Sequence, residues 1–334
     1  MLRFTLRRLA LMVPLLAGLS LLLFVWVRAL PGDPARALLG QRATDESIAR
    51  VTEAYGFDQP VLQQYGTYMG SLLRGDFLSS IRDGRPVLEG FLERFPATIE
   101  LALAALLFAV VLGIPLGYLA ARYQGRWLDS VVVSGSLLGV TIPVFFLAIL
   151  LKLVFANWLG IFPTVGRLDP RIDATDVTGF AVLDGLLTRE FDAAWDAIMH
   201  LVLPGIALGT IPLAIIVRIT RASVAEVMHE DYVRTAESKG LARSVISRRH
   251  VLRNAMLPVA TTIGLQTGLL FSGAVLTETV FGFNGIGSYL FSAISQRDYP
   301  VLQGYIIFIA IIYSLINLAV DLLYGVIDPR VRVS

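Results

Sequence analysis

Apolar positions in this chain neither alternate nor come in short clusters; they run on unbroken. Six windows without a charged residue, 9–27, 101–121, 130–151, 201–217, 255–277 and 299–320, each hold 17 to 23 residues. At 1.5 Å rise per residue, about 20 residues cross a hydrocarbon layer of roughly 30 Å. A barrel strand would alternate apolar and polar positions, so the pattern predicts an all-α, polytopic membrane protein with six transmembrane helices. The fourth window is short, and Arg218 just beyond it can snorkel to the interface and lengthen it.

The polar stretches between the windows set the expected orientation. With the amino terminus inside, segments 1–8, 122–129, 218–254 and 329–334 carry 15 basic residues in 59 positions. The opposite set, 28–97, 158–200 and 281–302, carries 12 in 135. Positive charge marks the cytoplasmic side, so both termini are expected there. The first window is long for a signal-peptide core, and Val27-Arg28-Ala29 offers no small-x-small cleavage pattern, so it is expected to remain as a span.

Two external segments are large. Residues 31–96 combine the helix-compatible stretch 46–55 with turn signals at Pro31-Gly32-Asp33-Pro34 and Asp83-Gly84-Arg85-Pro86. Residues 159–199 carry Asp169, Asp173, Asp176, Asp184, Glu190, Asp192 and Asp196 against three arginines. Composition leaves two readings of this acidic loop open: a docking surface for an external partner, or a solvated connection.

Composition agrees with the class: of 334 residues, 55% are hydrophobic and 16% charged, too few polar groups to cover a water-facing surface. The absence of cysteine excludes a disulfide framework, a thiol nucleophile, an iron–sulfur cluster and a cysteine zinc site. Basic residues are spread over several loops and form no single patch, which sets a nucleic-acid partner aside. No G-x-x-x-x-G-K-[ST] string occurs, so the chain has no phosphate-binding loop of its own. His200, His229 and His250 lack metal-ligand spacing, and no G-x-S-x-G elbow is present, so neither a resident metal nor catalysis is expected. The residues read as a conduit.

Helix breakers fall within five windows: Pro14, Gly113 with Pro115, Pro143, Pro204 with Pro212, and Pro258. They fit kinked helices around a cavity, and equally the ordinary abundance of Gly and Pro in membrane helices. Lys152 is expected near the outer interface. Ser314, Asn317, Asp321 and Tyr324 put a polar stripe on the sixth helix, and Asp321 is expected to clamp Arg218 or Arg221 at the inner end of the fourth. An ion-coupled secondary transporter would need membrane-central carboxylates or an inverted repeat, and neither is found.

Residues 218–254 form the one long inner segment. Helix is expected up to Met228, again from Asp231-Tyr232, and over 241–249, with a sharp turn at Gly240. Its strings "DYVRTA", "KGL" and "LRNAMLP" resemble the "EAA" loop of permease subunits of binding-protein-dependent ABC importers, in the dipeptide/oligopeptide/nickel branch. Ala236 stands at the motif's last alanine, Gly240 at its glycine and Leu257-Pro258 at its closing pair. Arg234 replaces the generic Glu, and the stretch from Gly240 to Leu257 is longer than the generic spacing; both departures resemble the peptide branch. "LPGDPARALLG", "FPATIELALAALLFAVVLGIPLG", "LTETVFGFNGIGSYL", "RDYPVLQG" and "NLAVDLLYGVIDPR" extend the resemblance over nearly the whole chain.

The resemblance implies a type I ABC importer permease fold. It divides the chain into 1–95, a helix plus external segment; 96–326, a five-helix core carrying the coupling loop 218–254; and 327–334, a cytoplasmic tail. It also implies a non-catalytic subunit in a bacterial or archaeal cytoplasmic membrane, importing dipeptides or short oligopeptides, with nickel chelates, glutathione, haem or opines as alternative cargo. Implied partners are a second homologous permease, two cytoplasmic ATPases holding ATP and Mg, an extracytoplasmic substrate-binding protein and membrane lipid. Thr235, Ala236, Gly240, Leu241, Ala242, Arg243, Arg248 and Arg249 are then expected at the ATPase contact. Ser136, Thr141, Thr210, Gln266 and Ser272 are expected along the pathway, and Glu278 at an outer gate or receptor contact.

Overall fold

The computed structural model describes residues 2–29, 34–39, 43–55, 58–80 and 82–327. Fourteen α-helices and two π-helical segments occur among the described residues, with no named strand. Four helices are long and apolar enough to cross a bilayer: Thr5–Val27, Val87–Arg122, Phe191–Met228 and Tyr299–Val320. Two further spans are bent pairs, Trp127–Thr141 with Val144–Trp158 at 101° and Arg243–Leu270 with Ala274–Phe281 at 57°. Counting each pair once gives the six expected.

The third window departs most from expectation. Its residues form α6 (Trp127–Thr141), α7 (Val144–Leu151) and a π-helical turn (Lys152–Trp158), broken where Ile142 turns extended before Pro143. Proline's missing N–H and the steric restriction on the residue before it account for the break. The fourth window, short in sequence, is the middle of the longest helix, α9 (Phe191–Met228), which runs on at both ends.

The chain divides into two compact units: residues 1–96 with 285–318, and residues 97–284 with 319–334. The first contains α1 (Leu2–Ala29), α2 (Pro34–Leu39), α3 (Asp45–Tyr55), α4 (Val61–Leu73), the start of α5 (Val87–Arg122), α13 (Ile286–Gln296) and most of α14 (Tyr299–Ile327). Its core gathers Val27, Val87, Phe91, Val301, Leu302, Tyr305 and Phe308. The Phe91 and Tyr305 rings meet edge-on at 5.1 Å, an arrangement the ring quadrupoles favour. Asp298 accepts the Ser80 hydroxyl at 2.6 Å, and Tyr289 donates to Asp83 at 3.1 Å. Phe24 and Ser20 of α1 hold Tyr65 of α4, the rings 5.1 Å and the hydroxyls 3.0 Å apart.

The second unit packs α5 against α9. A Cβ at Gly113 would lie 2.8 Å from Ile216 Cγ2, one at Gly117 would lie 2.7 Å from the Val217 carbonyl, and one at Gly209 would lie 2.6 Å from the Ala105 carbonyl. Glycines thus let two backbones approach as small-xxx-small pairs do in membranes. Around this seam lie α8 (Ala181–Leu187), α10 (Asp231–Ser238), the short α11 (Arg243–Val245), a π-helical segment (Ile246–Leu252) and α12 (Arg253–Phe281).

Candidate functional site

The segment between α9 and α12 is a rigid elbow. Burial of Val233, Ala236, Ile246 and Val251 against Ala121, Val224 and Ala255 gives it an apolar core shared with the ends of α5, α9 and α12. Three polar bonds reinforce that attachment. The hydroxyls of Tyr118 and Ser247 lie 2.5 Å apart, Ser223 donates to the Ala255 carbonyl at 2.9 Å, and Asn254 Nδ2 donates to the Tyr232 hydroxyl at 2.8 Å. Gly240 turns the chain at φ +72, a left-handed conformation that costs other L-residues about 1–2 kcal/mol.

The expected contact residues split by burial. Ala236 is buried in the elbow core, while Thr235, Gly240, Leu241, Ala242, Arg243, Arg248 and Arg249 are exposed. Thr235 Oγ1 bonds back to the Asp231 carbonyl at 2.9 Å, leaving the backbone turn and the basic side chains as the presented surface. Arg243, Arg248 and Arg249 are exposed on this segment together with Leu241 and Val245.

The expected clamp involving Arg221 takes a different partner. Asp129, buried in the first turn of α6, accepts Arg221 Nε at 2.6 Å and Nη2 at 2.8 Å, together with the Gly125 N–H at 3.0 Å. Such a two-pronged carboxylate–guanidinium pair is shorter and stronger than neutral hydrogen bonds. Arg218 is exposed, and the Asp321 side chain lies outside the described residues. The sequence signal for Asp129 was its place as the lone acid in segment 122–129, beside Arg122 and Arg126.

The pathway candidates bond mostly to their own helices. Ser136 donates to the Val133 carbonyl, Thr141 to Leu137 and Thr210 to Ala207, all within 2.9 Å. Gln266 is buried, and the Ser272 side chain lies outside the described residues. Glu278 is fully buried and accepts the Thr98 hydroxyl at 2.6 Å. Lys152 donates its ammonium to the Val280 carbonyl near the end of α12 at 2.7 Å.

At the end of the unit away from the elbow, the acidic loop turns its carboxylates on itself. Asp184 accepts the Thr178 hydroxyl at 2.5 Å and the N–H groups of Val177, Thr178 and Gly179. Burial opposes its ionisation, but these four donors outweigh burial and hold its pKa below the usual carboxylate value. Glu100 binds Arg167 at 2.6 Å and the Val182 N–H at 2.9 Å, and Glu190 accepts from Thr175. An open cavity of about 670 Å³ lies beside this cap, lined among others by Trp195, Asp196 and His200.

Spanning helices, a buried-core elbow with exposed basic residues, and a cap braced by Asp184 and Glu100 define a membrane permease subunit in which no catalytic constellation is assembled among the described residues. Residues 113–333 match the family described as binding-protein-dependent transport system inner membrane component, and residues 1–102 match its amino-terminal companion. The chain belongs to that family. It is 45% identical over 332 residues to the dipeptide transport system permease protein DppB of Alkalihalophilus pseudofirmus, covering 99% of this chain and all of the relative. Identity is 46% to the di/tripeptide transport system permease protein DppB of Pseudomonas aeruginosa, covering 99% of both. It is 36% to the glutathione transport system permease protein GsiC of Salmonella choleraesuis, again covering 99% of both. A solved MetNI methionine ABC transporter, in inward-facing form, has the same fold, with a TM-score of 0.53 and 15% identity over 72% of this chain and 96% of that one.

Proposed function

We propose that the chain is one half of the translocation pathway of an ATP-driven importer of dipeptides and short oligopeptides. The observation that carries this reading is full-length similarity: identity to dipeptide and di/tripeptide permeases is 45–46%, against 36% to a glutathione permease. A second permease completes the pathway, two ATPases hydrolyse ATP on the cytoplasmic side, and an external binding protein delivers cargo. Both termini and the elbow are cytoplasmic, as the positive-charge distribution supports.

In this mechanism the elbow is the receiving surface. ATPase closure presses on Leu241 to Arg249, and the apolar core behind that stretch passes the displacement to α5, α9 and α12. A well-packed core switches between discrete arrangements instead of deforming gradually, so a small push becomes a change of state. The ATPase bias on that two-state element sets which side is open.

Reconstitution tests the reading. The chain with its co-isolated partners, in vesicles, is expected to accumulate labelled dipeptide only with ATP and binding protein, and to continue when ionophores collapse ion gradients. Uptake by the purified chain alone, or uptake abolished by ionophores with ATP present, would overturn it.

A further inference from the structure

Three helices of the second unit carry prolines, Pro115 in α5, Pro204 and Pro212 in α9 and Pro258 in α12, while Pro143 stands in the break between α6 and α7. Ala109, Ile216 and Val259 are buried together, with Ile114 and Leu213 packed against them. Pro115 adjoins Ile114, Pro212 adjoins Leu213 and Pro258 adjoins Val259. Pro143 lies apart from this cluster, at the break where α6 meets α7, four residues beyond Gly139, whose Cβ would lie 3.4 Å from Thr210. Each proline removes a backbone donor and with it one rung of helix resistance to bending.

On the elbow side of this cluster the elements are cross-bonded: Tyr118 to Ser247, Ser223 to Ala255, and Asp129 to Arg221. The last bond decides the fate of α6. That helix exposes Val131, Leu138 and Val140, packs chiefly on α9, and meets α7 through the 101° break at Ile142–Pro143. On the far side, α7 and its π-helical turn are tied to α12 by Lys152 and buried with Ala274 and Phe281.

Resting on the proposed function, we infer that the Asp129–Arg221 pair fixes α6 to the elbow block and that the break at Ile142–Pro143 is the pivot between α6 and α7. Asp129 and Arg221 are positioning residues that make α6 travel with the elbow. When the ATPases close, the block on the elbow side moves as one, and α6 pivots against α7 at Pro143. Without the pair, α6 lags, and elbow movement reaches the pathway incompletely.

Because the chain has no cysteine, nitroxide pairs can be placed at Val131→Cys with Glu226→Cys, and at Val131→Cys with Trp158→Cys, all exposed positions. Distances are read by pulsed electron resonance in the whole complex with cysteine-free partners, without nucleotide and trapped with ATP and vanadate. The 131–226 distance is expected to hold within about 2 Å while 131–158 changes by roughly 5 Å or more. Asp129→Asn should broaden the 131–226 distribution and lower cargo moved per ATP roughly three- to tenfold, with ATP hydrolysis retained.

A change in 131–226 with 131–158 fixed would overturn the inference, as would two fixed distances in a complex that hydrolyses ATP. So would proportional loss of transport and hydrolysis in Asp129→Asn, the mark of a purely structural bond. A complex without ATP hydrolysis would defeat the importer reading itself, and this inference with it.

Discussion

The elbow and the acidic cap occupy opposite ends of the second unit and solve the same problem, holding a polar connection in place, by different means. The cap is fixed by carboxylates that accept backbone and side-chain donors: Asp184 takes up the turn at 177–179, and Glu100 fastens Arg167 and Val182. The elbow is fixed from behind by apolar burial, and its basic side chains stay exposed. A carboxylate bonded within its own loop is committed to the fold, whereas exposed basic side chains on an apolar base are available to a partner. Within 159–199, Asp184, Glu190 and Asp196 serve as internal scaffolding, while Asp173 and Asp192 stay exposed.

This contrast can be broken first at Glu100. Glu100→Ala strands Arg167 and the Val182 N–H, and removing one member of a largely buried ion pair is expected to cost about 3 kcal/mol. Thermal unfolding in detergent measures it, and an unchanged midpoint would mean that the cap is held by something else. Next comes Asp184, where Asp184→Ala leaves four donors to find water and should cost about 2 kcal/mol. Its folded pKa lies below the unfolded value of about 3.9. The stabilisation is therefore complete above that value and lost as pH falls through the lower folded one. Proteolysis within 169–180 should accelerate below about pH 4 in the wild type. Asp184→Ala should be open already at neutral pH.

Elbow substitutions should act on coupling more than on stability. Gly240→Val forces a β-branched residue into a left-handed turn, a strain of about 1–2 kcal/mol that the exposed turn relieves by shifting. Transport per ATP should drop while membrane insertion and complex assembly persist, and normal transport with normal ATPase stimulation would remove Gly240 from the coupling surface. The smallest effect is expected for Tyr118→Phe, which deletes one hydroxyl contact to Ser247 worth about 1 kcal/mol. A matched Ser247→Ala and double variant should then show non-additive losses.

Much of the elbow was legible before the fold was known. The stop near Met228, the restart at Asp231 and the turn at Gly240 are local features, set within a dozen residues and ending on a glycine at positive φ. The close α5–α9 seam also had a written signal, the Gly113-x-x-x-Gly117 and Gly205-x-x-x-Gly209 spacings, but which helix faced which was not encoded locally. The Asp129–Arg221 pair was not read from the sequence because Asp129 and Asp321 both fall near expected inner helix ends, and distance along the chain does not rank them.

What the sequence determined by itself was the set of spans, their expected sidedness and the family, because a bilayer leaves a continuous apolar run few structures besides a helix and because charge marks its ends. Tertiary structure alone decided that Asp129 meets Arg221 across 92 positions and that Glu100 meets Arg167 across 67. Those outcomes depend on the rotation and tilt of each helix against its neighbours, which side-chain packing sets over the whole unit and no local stretch of residues specifies.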